Sequence, residues 1–327
     1  MPETRRDNPA AGIAFILLGV LAISVNDMLI KRLSGGYPLH QMVFVRSAIG
    51  LVFTLALLQW EGGWRLLRTD RPGLHLLRGL LMVAANMTFF AAIAVMPLAD
   101  ATALFFVAPL FITLLSIPLL GETVGPWRLG AVAAGFCGVL LMQRPWAGPG
   151  LLDQPRMVLL LPVIGALLYA LNQLMTRRLG LKATASALAA YVQGCFLVVA
   201  SLFWLVAGDG RYAEMVENDS LHFLLRAWVW PAEGDLWLFL VLGLMSGIVG
   251  YCLAAAYRAA DAAVVAPFEY VGLPMAVIWG WLIFGEWPGL PVWAGMILIA
   301  GSGIFVFLRE RMLARPVAAA TRVRRRY

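Results

Sequence analysis

Charged residues are scarce in this sequence, and their scarcity limits the class of protein that it can form. Of its 327 residues only 13% are Asp, Glu, Lys or Arg, whereas 61% are hydrophobic, and the mean hydropathy is +0.83. A soluble domain cannot bury so much apolar surface, but the hydrocarbon core of a bilayer accepts it. The composition therefore excludes an ordinary soluble protein and indicates an integral membrane protein.

Cysteine and histidine are equally sparse, with three residues of each. Cys137, Cys195 and Cys252 stand in apolar runs without metal-ligand spacing, and buried free cysteine behaves as a small hydrophobe. The sequence also lacks a nucleotide-binding motif and a recognisable pairing of nucleophile and base. It therefore predicts no catalytic residues, no metal site and no cofactor, which argues against an enzyme.

Ten apolar runs are long enough to cross a bilayer, which requires about 20 mostly apolar residues. Clusters of Gly and Pro separate these runs. Helices are expected because open strands would leave backbone groups without hydrogen bonds in lipid. The predicted spans are residues 10–33, 38–60, 74–96, 98–119, 127–143, 157–178, 184–207, 235–257, 262–284 and 289–309.

The basic residues orient these spans. With the N-terminus inside, the cytoplasmic segments hold about three times as many Lys and Arg residues as the outer segments. This bias predicts an inner-membrane protein with both termini in the cytoplasm and with an extracytoplasmic loop at 208–234. The net charge of +7 owes much to the tail around residues 322–326. Such a tail fits an anchor at anionic membrane lipids, so no nucleic-acid partner is predicted.

The two halves of the chain resemble each other. Residues 26–33 (NDMLIKRL) match residues 172–179 (NQLMTRRL), and Gly-Glu follows both the fourth and the ninth span. Because five spans is an odd number, the two halves must be inserted in opposite senses, as in many secondary transporters. We predict an all-α integral membrane protein with ten transmembrane helices as two inverted five-helix repeats, although duplication alone could build a merely symmetric scaffold. The predicted segments are a cytoplasmic N-terminus (1–9), a first repeat (10–143), a linker (144–156), a second repeat (157–309) and a basic cytoplasmic tail (310–327).

Several motifs resemble the drug/metabolite transporter superfamily, EamA type: residues 96–106 (MPLADATALFF), 108–111 (APLF), 266–270 (APFEY) and 284–288 (FGEWP). The resemblance extends over nearly the whole chain. It implies ten helices, two EamA repeats, a central cavity and secondary transport, often export and often proton-coupled. It also implies that the two Gly-Glu motifs are structural turns and not parts of the binding site.

Three ionisable residues inside predicted spans are candidate site residues, because charge is costly in lipid. Asp27 could bind a substrate amine or carry a coupling proton, or it could form an i,i+4 ion pair with Lys31. Arg46 could hold a substrate carboxylate or pair with Asp27 or Glu269. Glu269 lies beside Tyr270 in a region where prolines are expected to break the helix and expose backbone groups to a ligand.

Uncharged polar residues in the spans could orient a substrate, although each of them alone is more typical of a hydrogen bond between helices. These candidates are Asn26, Asn86, Asn172, Gln173 and Gln193.

The repeat and the buried charges predict a secondary active transporter of a small polar metabolite, with alternating access and coupling to protons or to exchange. Charges of both signs favour an amino acid or a related zwitterion, and export is favoured over uptake. An uptake carrier for a vitamin or a nucleoside-like metabolite is the alternative. A membrane-embedded enzyme and a channel are alternatives of another class.

Overall fold

The computed structural model of the protein describes residues 8–69, 71–121, 124–146, 156–179, 184–216, 218–260 and 265–314. Within these ranges the regular structure is helical throughout. Most of the predicted N-terminus, linker and basic tail lies outside them, as does Glu122 of the first Gly-Glu motif. The α-helices are α1 (Pro9–Leu33), α2 (Leu39–Glu61), α3 (Pro72–Ile93), α4 (Leu98–Phe105), α5 (Ala108–Leu120), α6 (Pro126–Gln143), α7 (Arg156–Leu179), α8 (Ala185–Ala207), α9 (Asp219–Leu225), α10 (Leu236–Ala259), α11 (Gly272–Phe284) and α12 (Leu290–Ala314).

Nine segments of the described chain are long and apolar enough to cross a membrane, and each coincides with a predicted span. They are Ala10–Leu33, Leu39–Glu61, Pro72–Ile93, Leu98–Leu119, Met157–Met175, Ala185–Ala207, Glu233–Ala256, Pro267–Phe284 and Leu290–Arg309. The protein is thus a multi-pass membrane protein, and the regular structure of its described part is all helical. The remaining predicted span corresponds to α6, an 18-residue helix with Arg128 near its start and Gln143 at its end. Its crossing of the membrane stays a prediction.

The fourth and ninth spans are both interrupted. α4 ends at Phe105 and α5 begins at Ala108, whereas a 3-10 helix (Ala266–Val271) leads into α11. α5 and α11 have 13 residues each, and each ends at a glycine in the left-handed conformation, with φ of 71° at Gly121 and 66° at Gly285. Glycine occupies this position because it has no Cβ to clash there. The break in the ninth span is therefore present as expected, whereas the break in the fourth was not expected.

Small residues allow the helices to approach each other closely. α1 packs against α10, α2 against α8, α3 against α7, α4 against α11 and α6 against α12. A methyl group added to Gly247 of α10 would lie 2.6 Å from the Phe53 ring of α2, and one added to Gly138 of α6 would lie 2.9 Å from the Gly295 carbonyl of α12. Because lipid offers no hydrophobic drive for association, such close packing holds the bundle together.

One end of the bundle, here named the loop end, carries the α1–α2 turn and the segment 208–235. The Arg226 guanidinium donates hydrogen bonds to the carbonyls of Ser34, Gly35 and Tyr37 in that turn. The Tyr37 hydroxyl donates to Asp235 at 2.7 Å. Burial raises the pKa of Tyr37, so the hydroxyl keeps the proton that it donates. The long loop is thereby fixed on the α1–α2 turn.

Candidate functional site

Asn26, Asp27 and Arg46 form a buried polar chain between α1 and α2. The Asn26 amide nitrogen donates to Asp27 Oδ1 at 3.0 Å, and Arg46 Nη1 donates to Asn26 Oδ1 at 3.3 Å. All three side chains are at most 8% exposed. Two of the three predicted ionisable residues therefore lie together, with Asn26 as the bridge between the negative and the positive group.

The Arg46 guanidinium lies between two phenyl rings. Its central carbon is 4.8 Å from the ring centroid of Phe90 on α3 and 4.8 Å from that of Phe196 on α8. Among the described residues, Asn26 is its one hydrogen-bond partner, and its Nε is buried without an acceptor. Because a guanidinium carries several N–H donors in one plane, Arg46 retains donors for a ligand that presents acceptor atoms.

Lys31 does not pair with Asp27, so that interpretation of Asp27 is wrong. Lys31 Nζ instead lies 2.7 Å from Glu286 Oε1 and donates to the Met96 carbonyl at 2.6 Å. Glu286 Oε2 also accepts from the Leu98 backbone N–H at 3.1 Å. The glutamate of the second Gly-Glu motif is therefore more than a turn residue, because it joins three parts of the chain.

Glu269 lies apart from the Arg46 group in sequence, on the half-buried 3-10 helix that precedes α11. Its carboxylate is close enough to act electrostatically on the hydroxyls of Tyr169 and Tyr270. The Gln173 amide donates to the Tyr169 hydroxyl at 2.8 Å. The neighbouring Tyr270 is buried, and its ring centroid is 5.2 Å from that of Phe106. A second polar group thus forms around Glu269.

A row of four aromatic rings, here named the aromatic wall, connects the two groups. Phe90, which contacts Arg46, lies 5.8 Å from Phe89 by ring centroids, Phe89 lies 5.0 Å from Phe105, and Phe105 lies 5.7 Å from Tyr169. The wall therefore runs from the Arg46 guanidinium to Tyr169, whose hydroxyl accepts the hydrogen bond from Gln173. Aromatic faces flanked by a few polar groups are suited to a flat ring with polar edges.

The other predicted polar residues have different environments. The Asn86 amide donates to the Met82 carbonyl of its own helix at 3.0 Å. Gln193 donates to Ser246 Oγ at 2.9 Å and so links α8 to α10. Asn172 is buried in α7. Asn86 and Gln193 thus belong to neither polar group, whereas Gln173 and Tyr270 belong to the group around Glu269.

Sequence reasoning missed the rings that enclose Arg46 and the role of Glu286. The chain has 17 phenylalanines, most of them in apolar runs, so nothing in the sequence distinguishes Phe90 and Phe196 from residues that face lipid. Glu286 pairs with a residue at the other end of the chain, and no local pattern predicts such a contact. The repeated Gly-Glu motif was the one sequence feature that pointed to Glu286, but it was interpreted as a structural turn.

Known proteins resemble this chain along most of its length. The EamA-like transporter family matches residues 10–144. A riboflavin transporter of Rhizobium johnstonii is 33% identical over 309 residues, which cover 94% of this chain and 92% of that protein. An S-adenosylmethionine uptake transporter of Rickettsia prowazekii is 25% identical over 300 residues, covering 92% and 93%. One solved structure shares the fold with a TM-score of 0.61 at 20% identity, covering 93% of this chain and 99% of that chain.

Proposed function

The chain belongs to the EamA-like transporter family, and from this premise we propose that it is an inner-membrane uptake carrier for a planar heteroaromatic metabolite, with riboflavin as the first candidate. Its relatives are transporters of small metabolites and not enzymes. The observation that carries the proposal is the aromatic wall, which ends at a buried guanidinium with unused donors.

The chemistry of riboflavin matches this arrangement. Its flat ring system would stack on one ring of the aromatic wall and meet the edges of the tilted neighbouring rings, and the carbonyl oxygens and ring nitrogens along one edge would accept hydrogen bonds from Arg46. The planar fork of a guanidinium suits adjacent acceptors in one plane. Asp27, linked to Arg46 through Asn26, would balance the positive charge at this end of the wall, so the guanidinium needs no charged substrate to neutralise it.

A zwitterion is the second candidate, and the charges of Asp27, Arg46 and Glu269 favour it. An S-adenosylmethionine-like metabolite has a flat base for the aromatic wall, a carboxylate for Arg46 and positive groups for the two carboxylates. The same charges favoured an amino acid, and export was favoured because the family resemblance implies it often. Similarity to an uptake transporter and to a riboflavin transporter supports uptake of a larger, ring-containing molecule instead.

The helix pairings support two inverted repeats, residues 10–143 and 157–309, that change access by rocking around the site. Exchanging corresponding helices of the two halves turns the pair α1–α10 into α7–α3, which is also present. The same exchange turns the pair α5–α7 into α11–α1, which is also present, and leaves the pairs α2–α8 and α6–α12 unchanged. A set of helix pairs that maps onto itself in this way is expected of two inverted halves related by a pseudo-twofold axis. Asp27 would carry the proton if transport is proton-coupled, and the bias of basic residues supports both termini in the cytoplasm.

Uptake of labelled riboflavin into proteoliposomes tests this proposal directly. We expect saturable uptake that unlabelled riboflavin inhibits more strongly than S-adenosylmethionine. Arg46→Lys keeps the charge but loses the planar fork, so KM should rise about tenfold to a hundredfold, in line with the loss of a hydrogen bond to a charged group. Arg211→Gln is the control, because Arg211 is 57% exposed in the long loop and should leave KM unchanged.

Two outcomes would change the proposal. Saturable uptake of S-adenosylmethionine without riboflavin uptake would establish the second candidate. A normal KM for riboflavin in Arg46→Lys would mean that Arg46 does not contact the ring edge.

A further inference from the structure

We propose that Lys31 and Glu286 form the gate that closes the transport pathway at the loop end, and that this ion pair breaks each time that end opens. The inference rests on the proposed carrier function. It assigns a role to two charged residues that the substrate site does not use.

The gate joins three parts of the chain through one carboxylate. Glu286 Oε1 lies 2.7 Å from Lys31 Nζ at the end of α1, and Oε2 accepts from the Leu98 N–H at the start of α4. Lys31 also donates to the Met96 carbonyl and lies 5.1 Å from the centroid of the Phe284 ring. With the pair intact, the ends of α1, α4 and α11 are held together.

The turn that carries Glu286 is built to move with α11. Gly285 caps α11 in the left-handed conformation, and the Glu286 N–H donates to the Gly280 carbonyl at 2.9 Å. These contacts fix the backbone of Glu286 relative to its own helix. A tilt of α11 would therefore withdraw Glu286 from Lys31 and from Leu98 in one step.

Other contacts at the loop end follow a different pattern. Arg226 binds three carbonyls of the α1–α2 turn, and Gln41 exchanges hydrogen bonds with the Val229 backbone in both directions. Such multiple contacts tie the long loop, which belongs to the second repeat, to α1 and α2 of the first, so the loop stays with α1 and α2 when the helices of the second repeat move. Glu286 connects this body to the α11–α12 turn, which makes the boundary between α1 and α11 the natural place of opening.

The charges are placed so that they can separate. The side chain of Lys31 is 9% exposed and that of Glu286 is 28% exposed, so the carboxylate is partly accessible at the surface of the protein. Partly exposed pairs lose less on separation than fully buried ones, because water replaces the partner. Asp27 lies one turn below Lys31 on α1, so an opening at the gate leads directly to the proposed substrate site.

Ser24 provides a reporter for this opening. It lies about two turns below Lys31 on the same face of α1, is 6% exposed and accepts a hydrogen bond from Trp279 Nε1 of α11 at 3.2 Å. We would replace the native Cys137, Cys195 and Cys252 with Ala, introduce Ser24→Cys, and measure its labelling by a water-soluble maleimide in lipid nanodiscs. No substrate is needed, so the outcome is independent of whether riboflavin is transported.

Glu286→Gln should raise the labelling rate of the reporter about tenfold, because the closed state loses the ion pair that stabilises it relative to the open state. Lys31→Arg, which keeps the charge, should leave the rate low. Asp209→Asn is the matched control, since it removes a carboxylate from an exposed ion pair with Arg211 in the long loop. Equal labelling in Glu286→Gln and its parent would overturn the gate.

A cross-link tests the same motion by holding the two positions together instead of releasing them. The double variant Lys31→Cys and Glu286→Cys, joined by a reducible bifunctional thiol reagent, should lose substrate flux and recover it after reduction. Continued flux while the cross-link is intact would show that the two residues need not separate, and the gate would be wrong. If no flux is seen even before cross-linking, the carrier proposal is in question, and the maleimide rates still decide the gate.

Discussion

Asn26 occupies the point at which a buried carboxylate meets a buried guanidinium. Its amide can serve both groups because one atom donates to Asp27 and the other accepts from Arg46. The distance from Asp27 to Arg46 is thereby bridged without a direct ion pair, which leaves the remaining Arg46 donors available. A positioning role for Asn26 follows, in which the amide orients the guanidinium toward the aromatic wall.

Replacing this amide tests the positioning role. Asn26→Ala should raise KM for riboflavin uptake about tenfold with little effect on kcat, because hydrogen bonds to charged groups are worth about 1.5–3 kcal/mol and their loss lets Arg46 reorient. Asn86→Ala is the matched control, since its amide binds a carbonyl of its own helix and should leave KM unchanged. Equal KM values in the two variants would rule out a specific role for Asn26.

The glycines that follow α5 and α11 determine the direction in which the chain leaves these two helices. Gly121 and Gly285 follow the last residues of α5 and α11, and their positive φ values turn the chain sharply after each interrupted span. At both glycines an added Cβ would meet no atom within 4 Å. The demand for glycine therefore comes from the backbone conformation and not from crowding.

Gly121→Ala and Gly285→Ala should each lower the free energy of unfolding by about 1 kcal/mol, the typical cost of a left-handed conformation for a residue with a Cβ. Thermal unfolding in detergent would measure this as a lower Tm. Gly130→Ala supplies the control, because Gly130 lies within α6, also has open space around it and has a helical backbone that alanine favours. A loss of equal size in all three variants would point to a cause other than the backbone.

The helices differ in how far the sequence predicts them. The spans were predictable because each depends on a local run of apolar residues, and the capping glycines stand at the ends of such runs. The interruption at Phe106 and Val107 was missed, although Pro109 at the start of α5 is a local sign of a break. Contacts such as Lys31 with Glu286, or Arg46 with Phe196, depend on how distant helices assemble, and no sequence period encodes them.

The number of crossings decides the sidedness of the whole molecule. Nine crossings would put the two ends of the chain on opposite faces of the membrane, whereas a tenth crossing by α6 puts them on the same face. α6 packs closely on α12 through Gly138 and Gly295, and an isolated surface helix would not need such a contact. Exchanging the two halves converts α6 into α12 and α12 into α6, so this pair is unchanged. A ten-helix inverted repeat requires the fifth and tenth helices to correspond in this way.

Epitope tags at the two ends of the chain test this count. We expect both tags to be accessible only from the cytoplasmic face, because the basic residues cluster there when ten helices cross. A third tag inserted beside the exposed Asp209 and Arg211 should be accessible only from the opposite face, which controls for leaky membranes. Tags at the two ends that react from opposite faces would mean that α6 does not cross, and the inverted repeat would have to be abandoned. Matching sides would give each half five crossings, the odd number that obliges the two halves to insert in opposite senses.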